Sequence, residues 1–215
     1  GLVHVLLVLR GQRPDPDQLA HEAIALEQDI LKENVGCQDQ VFAAFGGVNR
    51  IDFMGERDFK VSRLPMTNQL RNLEDHLVLM FTGHVRTAHD IAKGMLEAMP
   101  SKQSELHRMR EMVDEGYAIL TGSGSLEPFG ALLDEAWRLK RSFSTEISNG
   151  VIDDLYDLAC RSGCRGGKLL GAGGGGFLLL FVRPDERSRL LKALHGKLLH
   201  VPFAFESSGS RVIMP

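Results

Sequence analysis

The feature that most constrains the fold is a run of glycines between two apolar segments, Lys168-Leu-Leu-Gly-Ala-Gly-Gly-Gly-Gly-Phe-Leu-Leu-Leu-Phe-Val182. Each glycine in an ordered element costs roughly 0.5–1 kcal/mol relative to alanine, so the run needs a reason. The flanking segments are typical of buried strands, which predicts a loop or tight bend between them. A backbone without Cβ atoms can approach a ligand closely and turn its N–H groups toward an anion, whereas the structural alternative is a flexible hairpin.

The motif differs from two better-known phosphate loops. No Gly-Lys-Ser/Thr follows it, so it is not a Walker loop, and it precedes a strand instead of opening a helix, so it is not a dinucleotide fingerprint. The composition adds limits: 215 residues allow one large domain or two small ones, and a net charge of −3 gives no basic field for nucleic acid. The three cysteines are an odd number at no metal-ligand spacing, which indicates reduced thiols and a cytoplasmic protein.

The opening run Gly1-Leu-Val-His-Val-Leu-Leu-Val-Leu9 is predicted to be a buried helix, because it is too short to span a membrane and lacks the features of a signal peptide. Asp15 and Pro16 then predict a capped start for a second helix over 17–31. Its expected apolar face contains Leu19, Ala23, Leu26 and Ile30. Glu27 lies on another side of this helix, where an acidic residue is usually part of a solvated face.

A second informative stretch runs from Lys32 to Gly47. Asn34 and Gly36 break the helix, and Gln38-Asp-Gln40 gathers polar groups at the start of a new apolar helical turn. Asp39 therefore lies near a helix N-terminus, where the dipole favours negative charge and keeps the carboxylate available as an acceptor. A simple N-cap role is the alternative for this residue.

The rest of the chain predicts an α+β sandwich, since single strands alternate with groups of helices instead of forming βαβ units. Thr82 and Arg86 follow a strand over 76–81 and precede a helix, a common place for an anion site. We place a break over 65–72 and a domain boundary within it. The other predicted elements are a hairpin over 48–64, helices over 89–99, 104–120, 126–141, 148–162 and 184–195, and strands over 203–206 and 211–214.

Taken together, these stretches resemble the GHMP kinases, the superfamily of galactokinase, homoserine kinase, mevalonate kinase and phosphomevalonate kinase. The third family motif is similar to Lys168-Leu-Leu-Gly-Ala-Gly-Gly-Gly-Gly-Phe177. Within the superfamily, three further segments resemble the heptose kinases, with fucokinase domains as a nearby branch. They are Leu31-Lys-Glu-Asn-Val-Gly-Cys-Gln-Asp-Gln40 with Gly46-Gly-Val-Asn-Arg-Ile51, Phe81-Thr-Gly83, and Phe205-Glu-Ser-Ser-Gly-Ser-Arg211.

The resemblance implies a two-domain GHMP kinase fold. Residues 1–66 would be the remainder of a ribosomal-protein-S5-domain-2-like N-terminal domain, and residues 67–215 a ferredoxin-like α/β sandwich. It further implies that the N-terminal portion is incomplete, because the family's Pro-x-x-x-Gly-Leu-Gly-Ser-Ser phosphate loop would precede the helix on which the sequence opens.

The resemblance also implies roles for individual residues. Asp39 would be the catalytic carboxylate beside the sugar hydroxyl, acting as general base or as electrostatic positioner, and Glu27 would be a ligand of Mg²⁺. The residues expected to bind the ATP cofactor are Gly171, Gly173, Gly174 and Gly175. The residues expected to bind the substrate are Gly36, Gln38, Thr82, Arg86 and Gly174.

The expected function is transfer of the γ-phosphoryl group of ATP to a hydroxyl of mannoheptose or its 7-phosphate, which feeds nucleotide-heptose synthesis for lipopolysaccharide or capsule. The alternatives are another sugar kinase of the superfamily, of fucokinase or galactokinase type, or a catalytically silent homologue that binds a sugar or nucleotide. The expected partners are the sugar and ATP, without nucleic acid or membrane, and the sequence leaves open whether the protein forms a homodimer.

Overall fold

The computed structural model describes residues 1–33, 35–55, 57–83 and 94–213, which form two compact units. The first unit contains Gly1–Pro65 and Phe205–Pro215, and the second contains Met66–Ala204. The sequence places the whole C-terminal segment in the second domain, but the contacts of Phe205–Pro215 lie in the first unit. None of the helices in the described ranges is long and apolar enough to cross a membrane.

The first unit begins with helices α1, Leu2–Leu9, and α2, Pro16–Ala25. Asp15 caps α2 as predicted, since its carboxylate accepts a hydrogen bond of 2.8 Å from the backbone N–H of Gln18. The chain then forms a π-helical turn over Leu26–Ile30, where we expected the α-helix to continue. Because the i→i+5 bonds of a π turn widen the helix, later residues rotate away from the apolar face. Ile30 is accordingly 70% exposed instead of buried.

Helix α3, Gln38–Phe45, packs against α2, and a hairpin of β1, Asn49–Phe53, and β2, Phe59–Arg63, follows it. The two strands pair antiparallel, as the alternating sequence predicts. The apolar side chains that form the core of this unit come from α1, α2, α3 and β2. They are Leu7, Leu19, Ala20, Ile24, Val41, Ala44 and Phe59.

The closing segment does not form the predicted strands over 203–206 and 211–213, and Met214 lies outside the described residues. Instead, it returns to the end of α3, where the N–H of Ser210 donates to the carbonyl of Ala43 at 2.9 Å. Gly46, at φ 63°, has no room for a Cβ because the backbone of Ser208 and Gly209 occupies that space. These backbone contacts take the place of a strand ladder.

The second unit contains a four-stranded antiparallel sheet with the order β4-β5-β3-β6. Its strands are β3, Leu77–Phe81, β4, Cys164–Leu169, β5, Phe177–Val182, and β6, Leu199–His200. In the sheet, β3 and β4 lie on either side of β5. Helices connect β3 to β4 and β5 to β6, so the chain has the β-α-β-β-α-β order of a split βαβ arrangement. This arrangement confirms the predicted α+β class. The last strand, β6, lies before the predicted strand over 203–206.

The predicted helices over 104–120, 126–141, 148–162 and 184–195 are confirmed, and of the predicted helix over 89–99 residues 94–98 are helical while 89–93 lie outside the described residues. Thr67 caps helix α4, Asn68–His76, which begins within the segment that we expected to be a break, and its hydroxyl accepts from the N–H of Leu70 at 3.3 Å. Leu70 and Leu73 of this helix are buried, which explains why it is stable. The helices are α4, Asn68–His76, α5, Gln103–Thr121, α6, Glu127–Arg141, α7, Gly150–Arg161, and α8, Arg187–Leu194.

Candidate functional site

We call Glu27 and residues 36–40 the acidic region of the first unit. Glu27 lies in the π turn, a type of turn that is frequent at functional sites. Its Oε2 accepts a hydrogen bond from Nε2 of Gln40, in the first turns of α3. This bond joins the π turn to α3 across 13 residues of sequence. The structure therefore brings the predicted metal ligand next to the residue that follows Asp39.

Gln40 itself was not among the predicted site residues. It is only 7% exposed, and its Oε1 atom is buried with no hydrogen-bond partner in the described part of the chain. The amide orientation is fixed, because turning it would place Oε1 against the Glu27 carboxylate. A buried acceptor without a partner is unfavourable by about 1–3 kcal/mol, so this oxygen needs a donor or a cation.

Asp39 lies in the first turn of α3 and is exposed, as are Gln38 and the nearby Gly36. Its carboxylate has no hydrogen bond or ion pair with the described residues, so it is available to a ligand. It is not the N-cap, because Cys37 occupies that position. The amide of Gln28 holds the preceding loop through bonds to Val35 O at 2.9 Å and Cys37 Sγ at 3.4 Å.

The acidic region has the chemistry that Mg²⁺ prefers. The described residues contain no cluster of three or more His, Cys, Asp or Glu side chains that would enclose a metal. Mg²⁺ bound with a nucleotide needs no such cluster, since it usually takes one or two carboxylates and completes its shell with phosphates and water. Glu27 and the unpartnered Oε1 of Gln40 supply oxygen donors that fit this ion.

We call residues 170–176 the glycine loop of the second unit. It connects β4 and β5 and is closed by a 2.8 Å bond from the N–H of Leu170 to the carbonyl of Phe177. Four of its glycines have positive φ, a conformation that favours glycine. They are Gly171 at 70°, Gly173 at 132°, Gly174 at 70° and Gly176 at 99°. The glycine run is therefore an ordered loop that residues with side chains would strain.

Ile147 fixes the centre of the glycine loop. Its carbonyl accepts from the N–H of Gly174 at 2.9 Å, and a Cβ on Gly173 would lie 2.9 Å from its Cα atom. Gly173 and Gly175 are buried, yet their N–H groups donate to no described residue. Because buried N–H groups are almost always paired, these two are candidates for donors to an anion.

Thr82, a predicted substrate contact, braces the end of this loop. Its hydroxyl donates to the carbonyl of Gly176 at 2.9 Å and accepts from the N–H of the same residue at 3.1 Å. The N–H of Thr82 also donates to that carbonyl at 2.9 Å. The described role of this buried residue is therefore to position the loop. Arg86, the other predicted contact after β3, lies outside the described residues.

Two lysines flank the glycine loop, and neither was predicted to function there. Lys140, at the end of α6, donates from Nζ to the carbonyl of Gly171. The side-chain ammonium group of Lys168, on β4, makes no hydrogen bond or ion pair with the described residues. Burial, together with the positive charge of Lys168, lowers the pKa of Lys140 to about 8, and burial also lowers the pKa of Lys168.

The predicted site residues thus fall into two groups. Glu27, Gly36, Gln38 and Asp39 belong to the first compact unit. The second group, which belongs to the other unit, is Thr82, Gly171, Gly173, Gly174 and Gly175. Gln40, Ile147, Lys140 and Lys168 are the residues that sequence reasoning missed. Gln40 carried a signal, since it completes the polar triplet Gln38-Asp-Gln40, and so did Lys168, which begins the glycine motif.

Known proteins resemble this chain along most of its length. Residues 117–199 match the family described as GHMP kinases C terminal. The D-glycero-alpha-D-manno-heptose 7-phosphate kinase of Campylobacter jejuni is 33% identical over 203 residues, which are 89% of this chain and 58% of that kinase. The chain belongs to the GHMP kinase family. This GHMP kinase chain thus spans less than two thirds of the length of that relative.

Two further similarities are more distant. A bifunctional fucokinase/GDP-fucose pyrophosphorylase of Arabidopsis thaliana is 26% identical over 199 residues, which are 89% of this GHMP kinase chain and 19% of that protein. The crystal structure of a D-glycero-D-manno-heptose 1-phosphate kinase from Bacteroides thetaiotaomicron covers 97% of this chain, and the chain covers 60% of it, with a TM-score of 0.72. At 22% identity this second likeness establishes the fold alone.

Proposed function

We propose that this GHMP kinase chain is part of an ATP-dependent sugar kinase that phosphorylates a hydroxyl of mannoheptose or its 7-phosphate. The observation that carries the proposal is the Glu27–Gln40 bond, which holds a carboxylate suited to Mg²⁺ beside the residue that follows the exposed Asp39. The similarity to a heptose 7-phosphate kinase at 33% identity supports a heptose as the substrate class.

In this proposal Asp39 accepts the proton of the attacking hydroxyl or orients that hydroxyl through a hydrogen bond. Its exposed position in the first turn of α3 supports either role, because a substrate can reach the carboxylate and the helix dipole stabilises its negative charge. General-base catalysis of this kind contributes typically about 10²–10⁴-fold to the rate. Gln38 and Gly36 would contact the sugar from the same loop.

Glu27 and Gln40 would hold Mg²⁺, which neutralises developing charge on the phosphates when it is bound. The glycine loop would receive the phosphates of ATP through the N–H groups of Gly173 and Gly175, with Gly171 and Gly174 providing the turn geometry. Gly174 and Arg86 would also contact the sugar. Thr82 supports this arrangement by holding Gly176 in place.

We further propose that the two compact units are parts of the two domains of the family fold, with the first unit, which includes the closing segment from Phe205, in a ribosomal-protein-S5-domain-2-like domain and the second unit, Met66–Ala204, in a ferredoxin-like one. The observed sheet order supports the second assignment. The product, a heptose phosphate, would feed synthesis of nucleotide-activated heptose for lipopolysaccharide or capsule.

The test is a substrate panel with the full-length gene product, ATP and Mg²⁺, read by ADP release and by ³¹P NMR of the product. The panel contains mannoheptose, its 7-phosphate, fucose and galactose. We expect the highest kcat/KM with one of the two heptoses. A preference for fucose would favour the second candidate, a fucokinase, which the similarity to the Arabidopsis protein supports. Binding of nucleotide without any transfer would instead indicate a silent homologue.

A further inference from the structure

The basic residues near the end of α6 differ in how their charges are balanced. Arg138 pairs with Asp134, and Arg141 donates to a carboxylate oxygen of Asp153 at 2.6 Å. Lys140, between them on the same helical turn, has no carboxylate partner among the described residues and bonds only to the carbonyl of Gly171. Its charge is therefore placed against the glycine loop and left without a counter-ion.

Lys168 shows the same imbalance on the strand that leads into the loop. It is half-buried on β4, two residues before the loop begins, and no described carboxylate or carbonyl pairs with it. It is also near enough to Lys140 to disfavour the charge there. Two desolvated like charges are unfavourable in the free protein, and an anion between them would relieve both desolvation and repulsion.

The adjoining backbone provides matching donors. Gly173 and Gly175 are buried residues whose N–H groups donate to no described residue, and a phosphate group needs several donors around its oxygens. We propose that Lys140 and Lys168 are the phosphate-recognising side chains of the glycine loop, and that they bind a phosphate group of a nucleotide or of a phosphorylated sugar. The inference rests on the proposed kinase function only in naming a nucleotide and a phosphorylated sugar as the molecules that carry the phosphate.

The decisive variant is Lys168→Met, because Lys168 has no hydrogen bond that the folded loop would lose. Binding to the full-length gene product is measured by calorimetry with pyrophosphate, a non-hydrolysable ATP analogue, mannoheptose 7-phosphate and mannoheptose. We expect Lys168→Met and Lys140→Met each to weaken binding of a phosphate-bearing probe roughly tenfold or more. Lys192→Met, which removes the same charge from an exposed position of α8, should leave all affinities unchanged.

The probes separate the two sources of phosphate. Loss confined to the ATP analogue and pyrophosphate assigns the lysines to the nucleotide, whereas loss confined to mannoheptose 7-phosphate assigns them to the sugar. Lys140→Met also removes a hydrogen bond to the loop, so Lys140→Arg is measured beside it as a control. Arginine keeps the positive charge and the donor groups, and this variant should retain affinity within a few-fold.

Normal binding of every phosphate-bearing probe by Lys168→Met would overturn the inference. This outcome is distinct from failure of the proposed function. If the wild-type protein phosphorylates a sugar and the variant binds phosphate normally, only the lysine inference is wrong. If the wild-type protein transfers no phosphoryl group while Lys168→Met still loses pyrophosphate binding, the lysine pair stands and the kinase proposal fails.

Discussion

Side chains carry the chemistry of the acidic region, whereas the backbone carries that of the glycine loop. In the acidic region one bond, from Gln40 to Glu27, organises the candidate ligands, and Asp39 is held only by its place on α3. In the glycine loop, bonds from Leu170, Gly174 and Gly176 fix a conformation with four positive φ angles. The first region should therefore tolerate substitution structurally but not functionally, and the second should respond through stability.

The largest expected effect is on catalysis in the acidic region. Asp39→Asn should lower kcat for the sugar by about 10²–10⁴-fold, because the amide cannot accept the hydroxyl proton. Affinity for ATP should stay close to that of the wild-type protein. Asp17→Asn is a matched control, since Asp17 is also exposed and in the first turn of its helix, α2. Normal turnover by Asp39→Asn would show that this carboxylate has no catalytic role.

The next effect concerns the stability of the glycine loop. Gly173→Ala should lower the free energy of unfolding by roughly 2–4 kcal/mol, because its Cβ would meet the backbone of Ile147 and its φ of 132° disfavours alanine. Denaturant unfolding followed by circular dichroism measures this change. Gly124→Ala, at a position with open space around it, should change stability by less than about 0.5 kcal/mol. Equal stability of the two variants would contradict a rigid loop.

A smaller effect is expected where Thr82 holds the loop. Thr82→Val keeps the shape of the side chain but removes both hydroxyl bonds to Gly176, so the free energy of unfolding should fall by about 1–2 kcal/mol. Thr121→Val removes only a bond to Tyr117 O on the exposed face of α5 and serves as the control. Equal free energies of unfolding for the two valine variants would contradict the role of Thr82 in holding the glycine loop.

The smallest change in stability is expected at Gln40. Gln40→Leu removes a buried acceptor that has no partner together with a donor to Glu27, so unfolding should change by at most about 1 kcal/mol. The Mg²⁺ concentration for half-maximal transfer should rise roughly tenfold, as when other residues that orient a metal ligand are removed. An unchanged Mg²⁺ requirement would show that Gln40 takes no part in the proposed metal site.

Local signals in the sequence predicted much of the fold. Asp15 and Pro16 mark the start of α2, the alternating residues mark the hairpin, and the glycine run marks the loop between β4 and β5. Each of these signals depends on neighbours in the chain, namely caps, period-two alternation and backbone freedom, so it could be read without the tertiary structure.

The features that the sequence did not reveal depend on distant contacts. The π turn displaces Ile30 from the expected face, and the closing segment bonds to Ala43 and Gly47 instead of forming strands. Gln40 became a site residue only through its bond to Glu27, and Lys140 only through Gly171. No periodicity or propensity encodes these pairings, because their partners lie far apart in sequence.

The central claim is that Glu27 and Asp39 of the acidic region serve a metal-bound nucleotide. Mn²⁺ in place of Mg²⁺ tests it directly, since its unpaired electrons broaden nearby amide resonances in ¹H–¹⁵N NMR spectra of the full-length gene product with an ATP analogue. We predict broadening of the Asp39 resonance when the analogue is present, with loss of the effect in Glu27→Gln. An unbroadened Asp39 resonance, or broadening that Glu27→Gln leaves unchanged, would contradict the account.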